Sequence, residues 1–146
     1  MEEERLQPKV DKTWTLDSAR WDYYQPRDGD IVIATYPKCG TTWMQQIVSL
    51  LIFQSPEPRR IPQISPWIDC RFGDSVEVLQ EMLEGQRHRR FLKSHLSFDS
   101  LPHYDQVRYI HVARDGRDAC MSYFNHWSSF TPFGWQTLDL AAEEMG

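Results

Sequence analysis

The chain has 146 residues, of which 40% are hydrophobic, 13% aromatic and 25% charged, a balance that supports one domain with a real core and excludes disorder as the main state. Its 16 Lys and Arg against 21 Asp and Glu give a formal charge of −5, which excludes a globally basic nucleic-acid binder. Residues 87–117 depart from that balance, with seven Lys or Arg against three Asp, a local +4 suited to an anionic small ligand.

The start, Met1-Glu-Glu-Glu-Arg5, is acidic where a targeting leader is basic. The longest apolar run, Ile47 to Phe53, contains Ser49 and is too short to span a bilayer. A cytoplasmic protein with no membrane partner is therefore expected. Aromatics Trp14, Trp21, Tyr23 and Tyr24 precede a turn cluster, Pro26-Arg-Asp-Gly29, and are read as core residues before pocket residues. Asp30 to Tyr36 is a nearly continuous β-branched apolar run, the pattern of a strand covered on both faces in a parallel sheet. From Thr41 the period changes. Trp43, Ile47, Leu50 and Leu51 fall at helical spacing with Gln45, Gln46 and Ser49 between them, which predicts an amphipathic helix to about Gln54 with the four apolar residues facing the core.

Pro56, Pro58, Pro62 and Pro66 mark a connector, and Ser75 to Leu83 reads as a short helix ending at Gly85. Further strands are expected at Arg90–Lys93 and Val107–Ala113, and another helix at Asp118–Trp127. Ala141 to Met145 reads as the start of one more helix, so the chain is expected to stop part-way through its architecture. The order predicts an α/β fold: a parallel sheet flanked by helices in three layers, as one domain over residues 1–146. Cys39, Cys70 and Cys120 form no Cys-x-x-Cys pair and have no His at ligand spacing, which argues against a disulfide framework or a zinc site.

Thr35-Tyr-Pro-Lys-Cys-Gly-Thr-Thr-Trp43 joins the first strand to its helix, where unpaired N–H groups and the helix dipole favour an anion. Gly40 allows close backbone approach, Lys38 adds a cation, and Thr41 and Thr42 add hydroxyls. This is the composition of a phosphate cradle, although an ordinary strand-to-helix turn with incidental Lys and Thr also fits. It is not a Walker A loop, because Lys38 precedes Gly40 and no earlier glycine stands in the loop. A cysteine-phosphatase loop fails too, since Gln45 stands where the closing Arg belongs.

Tyr36 to Trp43 resembles the Tyr-Pro-Lys-Ser-Gly-Thr-Thr-Trp loop of the cytosolic sulfotransferase family, departing only at Cys39. Phe91-Leu-Lys-Ser-His-Leu96 resembles that family's Lys-x-His strand end, and Val112 to Phe124 its Arg-x7-Ser segment. The resemblance runs from about Tyr23 to Trp127, the N-terminal part of a family domain. It implies sulfuryl transfer from 3′-phosphoadenosine 5′-phosphosulfate (PAPS), without a metal, to a hydroxyl or amine of a small-molecule acceptor. By motif, Lys38 would contact the phosphosulfate, Cys39, Gly40, Thr41 and Thr42 would hold its 5′ end, and Trp43 would stack on adenine. Arg114 and Ser122 would bind the 3′-phosphate, His95 would be the general base, and Lys93 would stabilise transferred charge. An unperturbed His half-titrated near neutral pH suits the task. His111 is expected to be a hydrogen-bonded core residue instead, and Arg117 with Asp118 a structural ion pair or a helix-start feature. Cys39 puts a weak thiol donor where the family has a hydroxyl. The alternative is a noncatalytic module that binds PAPS or adenosine bisphosphate, and a homodimer is among the expected assemblies.

Overall fold

The structure is a computed structural model that describes residues 8–132 and 134–136. The expected helix at Ala141–Met145 lies outside the described residues. Three strands, β1 (Ile31–Thr35), β2 (Phe91–Ser94) and β3 (Arg108–Val112), form a parallel sheet in the order β2-β1-β3. Among the described residues they are accompanied by helices α1 (Thr41–Phe53), α2 (Ile61–Ile64), α3 (Val76–Gly85) and α4 (Gly116–Ser128), with a 3-10 helix at Ser18–Tyr23 near the start. The α/β class, the parallel strands and the strand-loop-helix unit expected from the sequence are all present. The 3-10 helix and the single turn of α2 were not expected, because each is too short to display a period.

β1 is central and buried at every position, as its unbroken apolar run requires. Successive side chains go to opposite faces. Val32 and Ala34 join Leu92, Trp21, Tyr24, Ile68, Leu83, Leu96, Leu101 and Val107 on one face. Ile31 and Ile33 join Phe91 and Val48 on the other, with Met44, Ile52 and Phe53 of α1 against them. Trp21 and Tyr24 are thus core residues, while Tyr23 is exposed.

One expectation is corrected and another is narrowed. α1 forms where the period placed it but turns the other way: Thr41, Gln45, Val48 and Ser49 are buried, whereas Trp43 is 80% and Leu51 71% exposed. The buried set has the same spacing as the expected set, moved two residues toward the amino end, which is a rotation of roughly 200°. Gln45 can be buried because its amide donates to Ser65 Oγ (2.9 Å) and to the Ser65 carbonyl (3.1 Å), partners supplied by the connector. For Arg117 and Asp118 the helix-start reading holds in place of the ion pair: both lie in the first turn of α4, whose cap Asp115 accepts from their amides, and the Asp118 carboxylate lies 4.0 Å from Arg114.

Candidate active site

The strand register builds the site. Thr35, the last residue of β1, pairs with Val112 of β3, and Ala34 pairs with Ser94 of β2. The residues just past each strand, Tyr36–Gly40, His95 and Arg114, therefore emerge at one edge of the sheet, the carboxyl end where ligands bind in open α/β folds. His95 Nδ1 donates to the Thr35 carbonyl at 2.7 Å. A carbonyl only accepts, so Nδ1 carries the proton and Nε2 keeps its lone pair. Arg114 reaches back to donate to the Lys38 carbonyl at 3.2 Å.

The loop itself is contorted. Lys38 (φ 66°) and Gly40 (φ 102°) both adopt left-handed backbone, a conformation that is free for glycine and costs a lysine roughly 1–3 kcal/mol. Gly40 is the N-cap of α1 and offers no side chain to its first turn, so the leading N–H groups remain available to a ligand. Thr41 sits inside, its hydroxyl hydrogen-bonded to that of Thr35, whereas Thr42 and Trp43 are exposed.

A cavity of about 760 Å³ opens over this loop and is lined by Lys38, Cys39, Gly40, Thr41, Thr42, Trp43, Lys93, His95, Arg114 and Ser122. Every residue assigned a donor-binding or catalytic role from the sequence thus borders one space. Aromatic walls close it: Trp67 and Phe72 from the connector, and Tyr123, His126, Trp127 and Phe130 from α4 and the turn after it. Trp127 stacks on Trp14 with ring centroids 4.8 Å apart. Sequence reasoning missed these walls, although Ser122, His126 and Phe130 recur at four-residue steps and so share a side of the chain as it leaves α4. It also missed Asp69, fully buried, whose carboxylate accepts from Trp21 Nε1 (3.2 Å), Trp67 Nε1 (2.8 Å) and the His95 main-chain N–H (3.0 Å). Among the described residues no group of His, Cys, Asp and Glu could hold a metal ion, and no helix is long and apolar enough to cross a membrane.

Burial sets the charge states here. It pushes His95 down to about 4 from the ordinary 6.5; the Thr35 carbonyl and Asp69 pull upward, and Lys93 and Lys38 add to the lowering. The histidine is therefore unprotonated throughout the neutral range, not half-titrated as its free value suggests. Lys93 is also lowered, mainly by burial, and its ammonium stands 4.1 Å from the centre of the Trp67 ring. His111 Nδ1 donates to the Ala34 carbonyl (2.9 Å) as expected of a structural histidine, but from an exposed position on the edge strand rather than from the core.

The sequence and the fold have known counterparts. Residues 28–144 match the family described as the sulfotransferase domain, and the chain belongs to that family. It is 47% identical over 114 residues to the glycolipid sulfotransferase of Mycobacterium tuberculosis, a match covering 77% of this chain and 35% of that protein. Its fold is similar to that of mouse sulfotransferase SULT7A1 complexed with PAP, with a TM-score of 0.55 and 23% identity over 84% of this chain and 44% of that one. Retinol dehydratase in a complex with retinol and PAP gives a TM-score of 0.57 and 23% identity over 77% and 46% of the two chains. The chain thus spans about a third of the length of the mycobacterial relative (35%).

Proposed function

We propose that this chain binds PAPS and supports sulfuryl transfer to a hydroxyl or amine of a small-molecule acceptor, with His95 as general base. The observation that carries the reading is the meeting of an uncapped helix start, two lysines and an imidazole with a free Nε2 around one cavity. The PAP complexes of the two fold neighbours support the nucleotide. The residues fit it: exposed Trp43 offers a flat face for adenine, Arg114 and Ser122 a cation and a hydroxyl for the 3′-phosphate, and Lys38 with Thr42 a cation and a hydroxyl for the 5′ end.

The bound donor supplies the activated sulfuryl group. The acceptor oxygen bonds to sulfur as the bond from sulfur to the bridging phosphate oxygen breaks, and the chain's part is to orient and to balance charge. His95 Nε2 takes the acceptor's proton while Nδ1 stays fixed on Thr35. Lys38 faces the oxygen on which negative charge collects, and Lys93 answers charge on the sulfuryl oxygens. The donor's anionic groups, set beside Lys38 and Lys93, offset the two cations that depress His95 and strengthen it as a base. Leu16, Trp67, Phe72, Trp127 and Phe130 give the acceptor an apolar, stackable wall. A glycolipid is the first acceptor class to try, since the mycobacterial relative is named for one.

The test pairs calorimetry with PAP and a transfer assay with radiolabelled PAPS over phenol, alcohol, amine and glycolipid acceptors. His95→Ala is expected to keep PAP binding and lose about 10²–10⁴-fold in turnover. Turnover unchanged in that variant removes the base, and PAP binding without turnover on any acceptor assigns the binding-module reading.

A further inference from the structure

Asp69 is a fully buried carboxylate that the transfer chemistry does not use. Burying a carboxylate costs several kcal/mol unless hydrogen bonds compensate, and its N–H partners come from two regions of the molecule. Oδ1 accepts from Trp21, which belongs to the core. Oδ2 accepts from both the Trp67 indole and the His95 amide, and both residues line the cavity. One oxygen therefore ties the histidine's main chain to the tryptophan. The Trp67 ring in turn meets the His95 imidazole edge-on, with centroids 4.9 Å apart and planes at 79°, and carries the Lys93 ammonium on its face. The main chain repeats the link, since Lys93 N–H donates to Pro66 and Ile68 N–H to Lys93. An apolar side chain in this place would fill the same volume without aligning any of these groups.

We infer that Asp69 is the positioning residue of the transfer site: its carboxylate locks His95, Trp67 and, through the Trp67 ring, Lys93 into one unit anchored on the core at Trp21. The inference rests on the reading of the cavity as a sulfuryl-transfer site. Its consequence is that Asp69 governs the reacting geometry and the charge around His95 while leaving donor affinity alone, because Lys38 to Thr42 and Arg114 are held by other bonds. The charged groups that act on His95 are Lys93 from β2, Asp69 from the connector and Lys38 from the loop; Cys39 and Arg114, with Tyr123 and His126 of α4, border the same cavity.

Asp69→Asn and Trp67→Phe test this in the full chain. In Asp69→Asn one acceptor oxygen becomes an NH2 that cannot receive an N–H, and the negative charge is lost while Lys93 and Lys38 stay. The His95 titration followed by NMR is then expected to fall by about half a pH unit or more, with the PAP Kd within about twofold of wild type. kcat is expected to drop about tenfold or more with KM little changed. Trp67→Phe keeps the charge, so it is expected to lower kcat while leaving the His95 midpoint near wild type. A wild-type midpoint in Asp69→Asn overturns the inference, and so does wild-type kcat in both variants. Failure of both variants to fold overturns it as well, by assigning Asp69 to the core alone. If the wild type transfers no sulfuryl group, the functional reading fails instead, and the NMR titration still decides what Asp69 does to His95.

Discussion

His95 owes its chemistry to its place in the register rather than to its residue type. It follows the last residue of β2, so its ring falls beside the end of β1 and is held there by the Thr35 carbonyl. Burial takes it down to about 4, against 6.5 for a free histidine. Because the folded value lies below the unfolded one, the unfolded chain binds the proton more readily, and stability falls as pH drops from about 6.5 toward 4. Urea titrations across that range are expected to show the loss, and His95→Gln to flatten it. Adding PAP is expected to raise the NMR titration midpoint of His95, since the bound anion offsets Lys38 and Lys93; a midpoint that does not move with PAP bound would place the anion away from the imidazole.

At the scale of elements, α1 is the instructive case. Its helical period is real, but the core takes the face carrying Met44, Gln45, Val48, Ser49 and Ile52, and leaves Trp43, Ile47, Leu50 and Leu51 outward. The exposed position of Trp43 leaves its ring free over the cavity, and the hydrogen bonds from Gln45 to Ser65 compensate a polar residue on the inner face. Val48→Ala is accordingly expected to destabilise by about 1–3 kcal/mol, through lost packing. Leu51→Lys is expected to change stability by no more than about 0.5 kcal/mol. Denaturant midpoints of the two variants check the ordering, which is the reverse of what the apolar spacing alone implies.

For the whole molecule, a buried polar cluster fastens the strand ends opposite the site. Arg90, just before β2, pairs with Asp30, just before β1, and both are buried. The Asp30 carboxylate also accepts from Tyr24 Oη at 2.6 Å and from the Arg27 amide at 2.9 Å, while the Arg90 guanidinium reaches the Gln25 carbonyl at 2.8 Å. Burial, then the bonded Asp30, pushes the Tyr24 phenol well above its ordinary range, so the ring stays neutral and donating. Arg90→Met leaves Asp30 charged and unpaired in the interior and is expected to cost about 3–5 kcal/mol, read from equilibrium urea unfolding. Since this cluster lies at the amino ends of the strands, the folded fraction of Arg90→Met is expected to keep its PAP affinity.

Local order was legible in the residues. The β-branched run of β1, the Pro-Lys-Cys-Gly turn and the start of α1 at Thr41 each follow from chemistry within a few positions, and the loop motif identified the family before any contact was known. Residues on separate segments were a different matter. That α1 rotates by two residues depends on Ser65, 20 positions beyond Gln45. Asp69 matters because Trp21, Trp67 and His95 converge on it from both directions along the chain. The depressed proton affinity of His95 comes from burial by neighbours that no spacing reveals. Backbone preference and hydrophobic period act over a few residues and are written in order along the chain; desolvation and the pairing of buried polar groups act across space, and only the folded arrangement sets them.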